Sequence, residues 1–207
     1  MKYICTNKKQ LKHTDMRTEE ITIYEFHELS EKAKQNAINN WREVDELTFL
    51  PDEMKEYLKE DNRFKNTYLI YSLSYCQGDG LSFSCDEFSD QVLLIVFNNV
   101  LGQGKEKTAR FLVDEFGWIF NTKHNEGRYC FASNSDVRKN DGAWHHDNID
   151  SFLESVRDRL AEDVYLPKCR EMENIGYESI EYYQSDEWIE EVLTINEYEF
   201  TEDGEIY

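Results

Sequence analysis

The stretch Tyr68-Leu69-Ile70-Tyr71-Ser72-Leu73-Ser74-Tyr75-Cys76-Gln77-Gly78-Asp79-Gly80-Leu81-Ser82-Phe83-Ser84 carries two β-rich runs around a glycine-flanked aspartate. Alternation with period two sends successive side chains to opposite faces of a strand, so one face can be buried. Gly78 and Gly80 tolerate positive φ and Asp79 favours turns. Gln77-Gly78-Asp79-Gly80 therefore reads as the connection of a β-hairpin. A hairpin in mid-chain leaves an apolar face that other elements must cover.

Upstream, Thr22 to Phe26 is β-rich, and Ser30 caps a helix predicted over about 31–44. Its stripe is Leu29, Ala33, Ala37, Trp41 and Val44. Pro51, followed by Asp52 and Glu53, opens a second short helix to about Leu58. Downstream, the run 91–101 fits a buried helix or a buried strand, and Gly102-Gln103-Gly104 ends it. Residues 105–116 are predicted helical, with Ala109, Leu112, Val113 and Phe116 inward. Trp118 to Asn121 and Arg128 to Ala132 flank Asn125-Glu126-Gly127 as a second hairpin, and the polar residues 133–147 are expected to be loop. A long helix starts near Asn148 on Ile149, Phe152, Leu153, Val156, Leu160 and Val164, and Pro167 is expected to kink or end it. Hairpins amid helices define an α+β class, an antiparallel sheet covered by helices, as a single domain over 1–207.

The 207 residues include 43 acids and 23 bases, a net charge of -20. Such a surface repels phosphate backbones, which argues against general nucleic-acid binding. After Arg170 there is no Lys or Arg, while thirteen Asp and Glu remain. This acidic subregion, about 171–207, is rich in apolar and aromatic residues and is expected to fold. Ser185 is a helix cap, Asp186 and Glu187 suit the first turn, and Trp188, Ile189, Val192 and Leu193 form one apolar stripe. Glu190 and Glu191 then point outward, and 200–204 reads as a turn.

The N-terminus is too polar for a signal peptide, and the run from Val92 to Leu101 is too short to span a bilayer. Cys5, Cys76, Cys85, Cys130 and Cys169 are odd in number and lack a Cys-x-x-Cys pair. That usage fits reduced thiols in a cytoplasm and no zinc site.

Motifs for chemistry are thin. Gly102-Gln103-Gly104-Lys105-Glu106 lacks the spacing of a phosphate loop. Asp79, Asp86, Glu87 and Asp90 are grouped, but a turn accounts for Asp79 better than a cation does. Adjacent His145 and His146 point to opposite faces of an extended chain and rarely share a metal; His27 and His124 stand alone in sequence. No catalytic residue, metal or cofactor is expected. A metal-dependent hydrolase using Asp79, Asp86 and His145 or His146 is the enzymatic alternative.

Three stretches together resemble a known group. They are 24–37 (Tyr24-Glu25-Phe26-His27-Glu28-Leu29-Ser30 and the helix behind), 71–83 around Gln77-Gly78-Asp79-Gly80, and 194–204 with Asn196-Glu197-Tyr198-Glu199-Phe200-Thr201-Glu202-Asp203-Gly204. Each is weak alone; in this order they resemble an uncharacterised family of bacteriophage-encoded proteins, some labelled antitoxin-like. The resemblance implies a phage product acting in the bacterial host cytoplasm and carries no catalytic residues. Combined with the acidic tail, it yields the expectation of a host-defence inhibitor, anti-CRISPR-like or a nucleic-acid mimic. Glu187, Glu190, Glu191, Glu197, Glu199, Glu202 and Asp203 would meet a basic host protein or nuclease complex. An antitoxin-like regulator of a basic partner is the other non-enzymatic reading. An exposed 92–97 run would imply a homodimer or a docking patch.

Overall fold

The computed structural model describes residues 21–44, 47–125, 129–139 and 147–207, with side chains of the last range from 149 onward. The fold is α+β, with antiparallel sheets in hairpin order flanked by helices. The chain divides into two compact units. The first joins its two ends, with described residues 21–44, 47–48 and 180–207; the second is the intervening Phe49–Ser179.

In the second unit the central hairpin stands as expected. β2 (Phe64–Ser72) pairs antiparallel with β3 (Gly80–Phe88), from Phe64 opposite Phe88 to Ser72 opposite Gly80. Both strands run beyond the stretch that announces them. β3 then pairs with β4 (Phe120–His124) and β4 with β5 (Ser135–Lys139), giving the order β2-β3-β4-β5. The second hairpin differs from the sequence expectation in its partner. β4 pairs with 135–139, inside the stretch expected to be loop, while 129–131 is not strand and 126–128 lies outside the described residues. In β5 only Ser135 and Val137 are buried, so its alternation carries one strong apolar residue and the ladder with β4 decides the conformation.

The ambiguous run is helix α3 (Asp90–Leu101). Val92, Leu93, Val96 and Phe97 are buried while Ile95 faces out, a spacing that only a helix gives. α2 (Leu50–Glu60) has Pro51 in its first turn, and α4 (Glu106–Phe116) buries Ala109 and Val113. The long helix begins as α5 (Asp147–Arg159) and passes through a π-helical turn, Leu160–Tyr165, into α6 (Leu166–Tyr183). Pro167 thus neither ends the helix nor stands alone. The widened π turn interrupts the regular hydrogen-bond ladder just ahead of it, where the missing proline N–H does least harm.

The sheet's covered face and the helices make an aromatic core. Phe83 packs on Phe64 at 4.8 Å and on Tyr165 at 4.9 Å between centroids. Phe97 meets Phe120 at 6.0 Å and Phe152 at 5.5 Å. The buried Tyr165 hydroxyl donates to the Phe83 carbonyl oxygen at 2.6 Å, so its polar end is satisfied. Lys168 is also buried, at 4% exposure. Its ammonium lies 3.2 Å from Asp61, 3.1 Å from Glu171 and 4.3 Å from the centre of the Tyr57 ring. Arg63 forks onto the same Asp61 carboxylate.

The first unit contains α1 (Glu31–Val44), α7 (Asp186–Ile195) and the short antiparallel pair β1 (Tyr24–Glu25) with β6 (Glu199–Phe200). Its core is Phe26, Leu29, Ala33, Ala37, Ile38, Ile189, Leu193 and Phe200. Of the expected α1 stripe, Val44 departs: it is 77% exposed because the last helical residue lies past that core.

Candidate functional site

The acidic subregion is folded, and its carboxylates stand on fixed backbone. Ser185 caps α7, its Oγ accepting from the Trp188 N–H at 3.3 Å. Arg42 of α1 grips the same helix end. Its Nε donates to the Gln184 carbonyl at 2.8 Å, its Nη1 to Asn39 at 3.0 Å, and its Nη2 pairs with Asp186. Ile189 and Leu193 point into the core, which turns Glu187, Glu190 and Glu191 outward. Replacing Ser185 by alanine is expected to cost about 1 kcal/mol through the lost cap. A urea titration of the two proteins checks this.

Beyond α7, Glu197 sits at φ 53° and turns the chain into β6. Phe200 is buried and Glu199 exposed. The following turn is pinned to α1: Asn36 donates to the Asp203 carbonyl at 3.2 Å, and a Cβ on Gly204, at φ 85°, would come within 2.1 Å of the Ala33 oxygen. Only glycine fits that approach. Glu197, Glu199, Glu202 and Asp203 are all exposed.

These seven carboxylates form no ion pair with any cation among the described residues. The register adds a like-charge contact that sequence reasoning missed: Glu25 of β1 lies directly opposite Glu199 of β6. Like charges facing across strands are destabilising. Glu28, whose carboxylate accepts from the Glu25 N–H at 3.0 Å, lines one shallow groove with Glu202. Over 21–44 and 180–207 the sequence holds fourteen acids against three bases. A two-residue strand leaves almost no periodicity to read, so the approach of Glu25 to Glu199 had no signal.

The other candidates sit in the second unit. Asp79 accepts from the Ser72 hydroxyl at 2.6 Å, the Cys76 N–H at 2.8 Å and the Cys76 thiol at 3.1 Å. Those bonds hold its carboxyl down at about 2 and raise the Cys76 thiol, which disfavours thiolate chemistry. Gly78 and Gly80 have φ of 98° and 151°, as a turn requires. The His124 Nδ1 lies 2.9 Å from Ser135 Oγ and 3.2 Å from Ser82 Oγ, while the Asn134 amide meets Nε2 at 3.3 Å. With that amide donating to Nε2, the ring proton sits on Nδ1 and faces the serines. Both hydroxyls are buried, so this is a sheet-stabilising network rather than a nucleophile and its base. His27 stands in the other unit, 3.4 Å from Glu25, and His145 and His146 lie outside the described residues.

Among the described residues no three His, Cys, Asp or Glu side chains gather as a metal site, and no helix is long and apolar enough to cross a membrane. The described cysteines Cys76, Cys85, Cys130 and Cys169 are free thiols. The chain matches no protein family, no curated protein and no solved structure.

Proposed function

We propose that this protein is a binding protein whose first unit offers a rigid anionic face to the basic surface of a partner. The observation that carries the reading is the set of seven exposed carboxylates with no ion pair among the described residues, on a scaffold held by Ser185, Arg42, Phe200 and Gly204. Uncompensated like charge on ordered backbone costs stability, and a cationic partner recovers that cost. Carboxylates spaced along a helix and a turn can occupy sites that a nucleic-acid backbone fills elsewhere. In keeping with the phage resemblance, the partner is a nucleic-acid-binding host protein, such as a defence nuclease, and the effect is inhibition in the host cytoplasm.

The test is capture from a bacterial host lysate. Immobilised protein is expected to retain a basic nucleic-acid-binding species, released as salt screens the contact. Glu190→Lys with Glu191→Lys should reduce retention by about tenfold or more. Equal retention by the doubly reversed protein overturns the reading. Added duplex DNA separates two kinds of partner: competition marks a nucleic-acid mimic, and indifference an antitoxin-like regulator.

A further inference from the structure

We propose a second binding site, for a neutral glycan, on the open face of the four-stranded sheet. A cleft of about 500 Å³ there is lined by Tyr68, Trp118 and the strand residues 84–87 and 121–123. Strand register builds it. Tyr68 lies opposite Ser84 across β2 and β3, and Cys85 opposite Thr122 sets Ser84 beside Lys123 and Asp86 beside Asn121. Cys85 and Thr122 close the floor and are buried, whereas Asp86 and Lys123 beside them are exposed.

Two large rings border this floor. Tyr68 is 63% exposed and Trp118 56% exposed. The Trp118 indole N–H already donates to the Glu115 carbonyl at 3.0 Å, which leaves the ring face as its free surface. Tyr68 of β2 and Trp118, in the turn just ahead of β4, both line the cleft. Asp86 and Lys123 are exposed and form no ion pair among the described residues, whereas Glu87 is neutralised by Lys65 at 2.9 Å. Asp86 thus offers an anionic acceptor and Lys123 a cationic donor, and the cleft's charges cancel.

Aromatic faces beside exposed hydrogen-bonding groups suit a ligand with an apolar C–H face and vicinal hydroxyls. A stacked nucleobase has the same flat shape, but its phosphates would meet a unit with 24 acids against 15 bases over 49–179. Charge thus selects the sugar. This site is independent of the acidic face, so reversal at Glu190 and Glu191 leaves it intact.

The full chain is titrated with cellohexaose, maltohexaose and chitohexaose, and separately with a ten-residue oligothymidylate, following amide chemical shifts and tryptophan emission. At least one hexasaccharide is expected to shift amides near Asp86 and Asn121. Affinity should fall about tenfold or more in Trp118→Ala and in Asp86→Ala, and recover in large part in Trp118→Phe. The proposal is overturned by silence toward all three sugars at about 10 mM, by unchanged affinity in both alanine variants, or by binding of the oligothymidylate alone.

Discussion

Replacing Phe200 by alanine is expected to cost about 3–5 kcal/mol and to abolish partner capture without removing a single carboxylate. The Phe200 ring is fully buried and meets Phe26 edge-on, with centroids 5.9 Å apart. Its backbone pairs with Tyr24, and it anchors the chain between Glu199 and the turn that carries Glu202 and Asp203. The core it completes is small, so the cavity has few neighbours to collapse into it. Hydrogen exchange should accelerate in α1 and α7 together. If their amides stay protected and capture still fails, fixed geometry is not what the partner reads.

Lys168→Met should cost about 3 kcal/mol by breaking a buried ion pair. The ammonium is shared by Asp61 and Glu171 above the Tyr57 ring, and methionine supplies the stem but not the charge. Burial pushes the Asp61 carboxyl up, but its bonds to Arg63 and Lys168 outweigh this and hold it at about 2. A carboxyl so depressed contributes stability that is complete above its unfolded value near 3.9 and is lost as pH falls through 2. The gap between the wild type and Lys168→Met should therefore be widest at neutral pH and narrow between about pH 4 and 2. Denaturation at pH 7, 4 and 2 measures it; a constant gap would remove the Asp61–Lys168 pair as its cause.

Much of this architecture was legible because local and tertiary preferences agree. The Ser185 cap and the stripe of Trp188, Ile189, Val192 and Leu193 read directly as α7, and the Gln77-Gly78-Asp79-Gly80 connection marked the central hairpin. Elements that draw their conformation from partners did not read. β5 holds one strong apolar side chain and exists through its ladder with β4. Pro167 looked like a stop, because the π turn that precedes it has no sequence signature of its own. The outward direction of Glu190 and Glu191 followed from helical spacing, whereas the opposition of Glu25 to Glu199 depends on pairing residues 174 positions apart. The sheet-face cleft was hidden for the same reason: Tyr68, Asp86 and Lys123 come from three different strands.

The first unit is discontinuous, with Phe49–Ser179 inserted between its halves. On the ribosome, α1 emerges long before Ile189, Leu193 and Phe200 exist to cover its apolar stripe. The nascent chain must hold that stripe unsatisfied while some 130 intervening residues are made. Synthesis thus imposes an order: the inserted unit can mature early, and the charged surface assembles only once residues 180–207 have been made. A message cut short before Ile189 would yield a chain whose α1 stripe stays uncovered, a natural substrate for the cell's proteases.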